Sequence, residues 1–263
     1  MTVTPLNLKT APGHQVLAAA GKQTLRPGGR AATEQLFAWA NFQPGDTVLE
    51  LAASFGYSAI ALAQRYGVTV VGVEKNPDSV ARARANVTAA GVEDAVQILE
   101  GDIFHLEQIS DSFDYVLAEA ILTMQSAPGK AKILQGICDR IKPGGQFLSH
   151  ELVVDGPDAV AIQRELAATI RVNAQPLCTD DWLTTCRQAG LAIEQYDTGP
   201  MALLNPRRIA QEEGLATLLR LGWNLLTRPI LRRRILEMRR VFTRHRQELG
   251  YIVLGAKKAQ AGE

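Results

Sequence analysis

Short apolar runs, TVLEL, VTVVGV, VQIL, FDYVLA and QFLSHEL, alternate along the chain with longer stretches in which apolar residues return every three or four positions. The first pattern predicts buried strands at Thr47 to Leu51, Val68 to Val73, Val96 to Leu99, Phe113 to Ala118 and Gln146 to Leu152. The second predicts helices at Tyr57 to Tyr66, Asp78 to Ala90 and around Lys130 to Ile141. Before the first strand, Arg26 to Gly29 reads as a turn, and Thr33 is placed to cap a helix TEQLFAWA with Glu34 in its first turn. Beyond Leu152 the pattern loosens into helices at Asp158 to Arg171 and Asp180 to Ala189, a strand at Ile193 to Tyr196, two helices between Arg207 and Leu249, and a last strand at Tyr251 to Ala256. Alternating strands and helices imply right-handed crossovers, hence an α/β, doubly wound, mostly parallel seven-stranded sheet with helices on both faces and a helical insert before the last strand.

With 263 residues, 46% of them hydrophobic, the chain can bury one substantial core, so a single domain is expected over 1–263. Within it, 1–43 reads as an N-terminal cap segment, 44–152 as the ligand-binding core and 198–249 as a lid-like helical insert. Cys138, Cys178 and Cys186 are odd in number and lack metal-ligand spacing, which fits buried thiols in a reducing compartment. His14, His105 and His245 have no clustered partners, so no metal is assigned. No apolar run is long enough to cross a bilayer, and MTVTPLNLKT lacks the basic-then-apolar order of a signal peptide, so a cytoplasmic location is expected.

Candidate chemistry gathers at strand ends. Glu50 closes the first strand before a small-residue turn, Glu74 closes the second, and Asp102 follows the third in LEGDIF. Small residues let backbone N–H groups approach a ligand, and acceptor-only carboxylates suit hydroxyls and amines, so the set describes a nucleoside cofactor site. A dinucleotide site would need three glycines after Leu51 and would bring a pyrophosphate against Glu50. In an open sheet the crevice lies outside the carboxyl ends of the strands, which also brings Glu119 and the pair His150-Glu151 beside the reacting centre. His150 is the expected base, because imidazole titrates near neutrality. Met124 and Gln125, in the loop after Glu119, are expected to line an acceptor pocket.

The segments VLELAASFG, VVGVEKNPDSV, LEGDIF, SFDYVLAEA and IKPGGQFLSHE, in that order, resemble the class I S-adenosylmethionine-dependent methyltransferases, with their Rossmann-like fold. The resemblance implies a transferase that moves a methyl group from S-adenosylmethionine to oxygen, nitrogen or carbon of a small organic acceptor. It implies that Glu50 and the turn Ala52 to Gly56, including Ser54, hold the methionine portion. Glu74 would accept the ribose hydroxyls, Asp102 would take the adenine amino group, and Lys75 and Ile103 would flank the ring. Glu119 would touch the cofactor or fix a substrate hydroxyl, and Arg26 would meet a carboxylate on cofactor or substrate. Ala52 and Ser54 stand where the family usually has glycines, which reduces the freedom of the turn to adopt positive φ. The fourth strand exits through AEAILT rather than Asn or Asp followed by Pro-Pro-aromatic, an arrangement that in the family accompanies methylation of exocyclic amines on nucleic-acid bases. Two other readings are an RNA methyltransferase and a noncatalytic nucleoside-binding or interaction protein of the same fold.

Charge adds a second feature. Between Arg207 and Arg246 lie 11 arginines and three glutamates, a net +8, while the remaining 17 basic and 24 acidic residues carry −7. Leu231, Ile235, Met238, Phe242 and Leu249 form one stripe of the late helix that starts at Pro229, and Arg232, Arg233, Arg239, Arg240 and Arg244 cover the rest. That face fits a solvated surface paired with an acidic body, attraction to an anionic substrate or membrane surface, or RNA. Few aromatics are available to stack on bases, which ranks nucleic acid last. The methyl acceptor and the oligomeric state stay open at the level of sequence.

Overall fold

In the computed structural model, residues 7–22 and 24–259 are described. The sheet comprises β1 (Thr47–Leu51), β2 (Thr69–Glu74), β3 (Val96–Glu100), β4 (Phe113–Glu119), β5 (Ile141–Val154), β6 (Leu191–Pro200) and β7 (Leu249–Lys258), ordered β3-β2-β1-β4-β5-β7-β6. β1 to β5 pair in parallel, and β7 runs antiparallel between β5 and β6. The doubly wound, mostly parallel sheet expected from the sequence is therefore present. Strand order reverses between β1 and β4, which locates the crevice above the carboxyl ends of these two strands.

Alternation along the central strands decides which helices cover which face. Leu49, Leu51, Val116 and Ala118 point into one core with Ile133, Ile137, Trp182 and Cys186, carried by α5 (Ala127–Arg140) and α7 (Thr179–Gln188). Val48, Val70 and Leu117 point the other way. They meet Leu36 and Phe37 of α2 (Gly29–Ala40), Leu62 of α3 (Tyr57–Tyr66) and Val80 and Ala83 of α4 (Pro77–Ala90). A third core joins Val16 and Leu17 of α1 (Gly13–Ala20), Leu166 and Ile170 of α6 (Ala159–Ile170), Leu221 of α8 (Pro206–Thr227), and Leu231, Ile235 and Met238 of α9 (Pro229–Arg244). It packs on Leu152 and Val154 at the end of β5, so it stands beside the crevice.

Local signals explain the element ends. The Asn76 side chain accepts the Ser79 N–H at 3.0 Å and Pro77 fills the first turn of α4, while Ser126 caps α5 through the Gly129 N–H at 3.3 Å. α8 is interrupted at Gly214, whose φ of 82° only glycine adopts at little cost.

Several expectations need correction. Thr33 does not cap a helix: α2 starts four residues earlier, at Gly29, and Thr33 lies inside it, turned into the protein. α1 was not foreseen, because its eight residues carry no capping side chain. α5 starts at Ala127, ahead of Lys130. The KPGG segment belongs to β5, which begins at Ile141 and shifts register against β4 between Phe113 and Tyr115. Leu249 opens β7 rather than completing the stripe of α9, where Val241 takes a buried place.

Candidate active site

Glu50, the last residue but one of β1, is buried, and among the described residues its Oε2 has no hydrogen-bond partner. Burial pushes its carboxyl up to about 8, against the pull of Arg26 and with a further push from Glu119; Ser58 and the Ala59 backbone also favour the ionised form. The turn above it holds Ala52 at φ 52°, Ser54 at φ 52° and Gly56 at φ 75°. Ala and Ser thus adopt the left-handed geometry that glycine would take freely, and their reduced freedom there is met as strain rather than by a different turn. The cost is on the order of 1 kcal/mol for each.

Neighbouring groups hold that strained turn in place. Ala53 N–H donates to the Val73 carbonyl at 3.0 Å, and Ser54 N–H donates to Glu74 Oε2 at 2.9 Å. Glu74 Oε1 accepts the Asn76 N–H at 2.8 Å, so each carboxylate oxygen keeps further acceptor capacity. Asp102 Oδ1 accepts the Phe104 N–H at 3.1 Å, and its Oδ2 pairs with Lys75 Nζ at 2.7 Å. Lys75, followed by the Phe104 amide, holds the Asp102 carboxyl below its usual range despite partial burial. Ile103 packs beside it, buried. Glu50, Ala52, Ser54, Gly56, Glu74, Lys75, Asp102 and Ile103 therefore share one edge of the sheet, at the ends of β1 to β3. His14 of α1 reaches this edge: surrounding protein lowers its imidazole pKa and Glu74 opposes that shift.

On the other side of the crevice, a buried network ties the N-terminal cap to β4 and β5. Arg26 Nη2 pairs with Glu119 Oε2 at 2.9 Å and also donates to Ser58 Oγ, while Arg26 Nη1 donates to Thr33 Oγ1 at 3.1 Å. Thr33 Oγ1 donates to Glu119 Oε1 at 2.5 Å. Burial raises the Glu119 pKa, but Arg26, His150 and Thr33 more than offset it and leave the carboxyl below its usual value. His150 is fully buried; its Nε2 accepts the Gly28 N–H at 2.9 Å and its Nδ1 stands 3.5 Å from Glu119 Oε1. Burial lowers its pKa against the pull of Glu119.

The base expected at His150 is thus not free. Its only lone pair in the neutral ring is used by Gly28, and the imidazole anchors the cap. Arg26, expected to meet a carboxylate on cofactor or substrate, is paired instead with a carboxylate of the protein itself, Glu119.

The loop after β4 is held from beneath. Glu151 follows His150 and therefore points to the opposite face of the sheet. It accepts the N–H groups of Ile121, Leu122 and Thr123 at 3.1, 2.9 and 2.8 Å and the Thr123 hydroxyl at 2.6 Å. Burial pushes it up to about 7 in spite of these four donors. Lys130 Nζ donates to the carbonyls of Gln125 and Gln175 at 2.6 and 2.7 Å, and burial lowers its pKa to about 8. Met124 packs against the third core, and the Gln125 amide folds back onto the Ile121 carbonyl at 3.2 Å. Sequence reasoning missed Thr33, Ser58 and Lys130 as site-building residues, and it placed Glu151 beside the reacting centre rather than under the loop.

A family model described as a methyltransferase domain matches residues 42–204, and the chain belongs to that family. A Haemophilus influenzae protein described as uncharacterized is 34% identical over 203 residues, covering 77% of this chain and 81% of that one. The arsenite methyltransferase of Halobacterium salinarum is 28% identical over 160 residues, 60% of this chain and 40% of that enzyme. Among solved structures, a SAM-dependent methyltransferase from Geobacter sulfurreducens in complex with S-adenosyl-L-homocysteine superposes with a TM-score of 0.71 at 17% identity, over 98% of this chain and all of that one.

Proposed function

We propose that the crevice binds S-adenosylmethionine over the ends of β1 to β3 and serves transfer of its methyl group to oxygen, nitrogen or carbon of a small organic acceptor on the β4–β5 side. The observation that carries this reading is the buried, unpartnered Oε2 of Glu50 beneath a turn of three left-handed residues. An ionised carboxylate there calls for a cation, and the amino group of the cofactor's methionine portion is one. Glu74 retains lone pairs for a diol, and Asp102 with Ile103 offers an acceptor beside an apolar surface, which fits an adenosine.

When bound, the cofactor supplies a methyl group on a cationic sulfur whose departing thioether is neutral, so departure needs no acid. The chain's own task is placement. Glu50, Glu74 and Asp102 fix one reactant, while the cap held by Arg26, Thr33, Glu119 and His150 bounds the side where the other enters. Such placement with water excluded is worth up to about 7–11 kcal/mol. A small acceptor is favoured by the cap being tied directly to Glu119 and His150 rather than leaving an open groove, by the AEAILT exit of β4, and by a relative named for arsenite. His150 acts as a positioning residue in this scheme.

Incubation with methyl-labelled S-adenosylmethionine and a panel of small phenols, amines, thiols and carboxylic acids tests the proposal. Label transfer to a panel member, reduced at least tenfold in Glu74→Ala, is the expected outcome. Failure of the protein to bind either S-adenosylmethionine or S-adenosylhomocysteine would overturn it.

A further inference from the structure

α8 is apolar on two faces, and the described residues cover one of them. Thr217 and Leu221 are buried and Leu218 and Leu225 are partly buried against the third core, which accounts for the inner face. On the outer face Leu215, Leu219, Trp223 and Leu226 are 69%, 74%, 68% and 72% exposed. At about 100° per residue these four side chains fall within an arc of about 80°. Ile230, at the start of α9, extends the patch and is also exposed. Four large apolar residues in register on a solvated helix exceed the scattered exposure normal for a protein surface.

The surrounding charge indicates what such a face meets. No Asp or Glu occurs between Glu213 and Glu237, whereas Arg220, Arg228, Arg232 and Arg233 fall in that interval and are exposed. Glu212 is occupied by Arg208 at 2.9 Å and by the Arg30 amide at 2.9 Å, and Glu213 pairs with Lys22 at 2.5 Å. Glu237, at the far end of the interval, is taken by Arg233 at 3.0 Å, so a two-fold contact between copies through this stripe would set Arg220, Arg228 and Arg232 of one copy against the same arginines of the other. A surface carrying negative headgroups over an apolar interior complements both the leucine–tryptophan stripe and its arginine rim.

We propose that the outer face of α8, with the start of α9, docks on an anionic lipid bilayer as a peripheral contact. Leu215, Leu219, Trp223 and Leu226 enter the headgroup boundary and the arginines remain among the phosphates. No helix of the described residues is long and apolar enough to cross a membrane, so the contact lies in the plane of the surface. α8 is joined to the cap through Lys22–Glu213, the Arg30 amide on Glu212, and Asn224 on the Ala20 carbonyl at 3.1 Å, so docking brings the capped crevice near the bilayer.

Co-sedimentation of the full chain with sucrose-loaded vesicles tests this directly, comparing phosphatidylglycerol–phosphatidylcholine mixtures with pure phosphatidylcholine. Binding to the anionic vesicles should be at least tenfold tighter, should weaken with added salt, and should shift the emission of Trp223 to the blue. The double variant Leu219→Glu/Trp223→Glu should lose vesicle binding while keeping its circular dichroism spectrum and melting temperature, since both side chains are exposed. Equal affinity for both vesicle types, or vesicle binding unaltered in that variant, would overturn the proposal. So would a dimer dispersed by Leu219→Glu without vesicle binding, or salt-sensitive binding to single-stranded RNA without vesicle binding. None of these readouts depends on methyl transfer.

Discussion

The backbone N–H of Gly28 donates to Nε2 of His150 at 2.9 Å, a hydrogen bond that spans 122 residues and seats the N-terminal cap on β5. Nothing larger than glycine fits at that position. A Cβ there would lie 2.5 Å from Ala32 Cβ, 2.8 Å from His150 Nε2 and 2.8 Å from Tyr251 Cδ2. Gly28→Ala is therefore expected to lift the cap, costing about 1–3 kcal/mol of stability. Titration with S-adenosylhomocysteine should show cofactor affinity within about threefold of the parent, while KM for an accepted methyl acceptor rises.

Arg26 and Glu119 are a second test of the cap. Glu119 is buried and Arg26 is its charged partner at 2.9 Å, so Arg26→Ala leaves a buried carboxylate without its cation. A loss of about 3 kcal/mol is expected at pH 7, the lower end of the range for breaking buried pairs because Arg26 keeps some solvent contact. The folded pKa of Glu119 is depressed, so its stabilising effect is present above the unfolded value of about 4.5 and is lost as pH falls through the folded value. Denaturant melts of the parent and of Arg26→Ala should accordingly converge in acid, and Arg26→Ala/Glu119→Gln should recover much of the loss at pH 7.

The turn after β1 makes a prediction of opposite sign to most substitutions. Ala52 sits at φ 52°, so Ala52→Gly removes a Cβ from a left-handed residue. An increase in stability of about 0.5–1 kcal/mol is expected, read as a higher midpoint in urea with an unchanged slope.

Glu50 and Glu151 shape the pH dependence of the ligand-free protein. Both carboxyls have folded pKa values raised by burial, to about 8 and about 7, so what they contribute is fully present below the unfolded value of about 4.5 and is lost as pH rises through those folded values. Glu50→Gln should make the ligand-free protein more stable by about 3 kcal/mol at pH 7, from about 1.4 kcal/mol per pH unit between 4.5 and 7. A slope due to Glu151 should persist in that variant up to about pH 7. Thermal melts from pH 5 to 9 read both effects.

Much of this was legible in the sequence, for identifiable reasons. Central parallel strands are apolar on both faces, so Val48 to Leu51 and Tyr115 to Ala118 announced themselves, and an acid closing such a strand stands out. Thr33 was misread because the same hydroxyl that caps a helix from outside can serve a buried carboxylate from within. Glu151 was misassigned because adjacent strand residues point to opposite faces, so proximity to His150 in sequence meant separation in space. The outer stripe of α8 stayed hidden because Leu218, Leu221 and Leu225 on the inner face mask Leu215, Leu219, Trp223 and Leu226 on the other; no single-sided period emerges. α9, with one apolar side, was plain.

Calorimetric titration with S-adenosylhomocysteine from pH 6 to 9, on the parent and on Glu50→Gln, bears most directly on the claim that the buried carboxylate at the end of β1 receives a cation from the cofactor. Affinity in the parent should rise by up to about tenfold per pH unit toward pH 8 and then level off, with close to one proton released on binding below that point. Glu50→Gln should bind more weakly at pH 8 and show a flat profile. Affinity in the parent that does not change with pH, or a Glu50→Gln variant that binds as well as the parent at pH 8, would contradict the account.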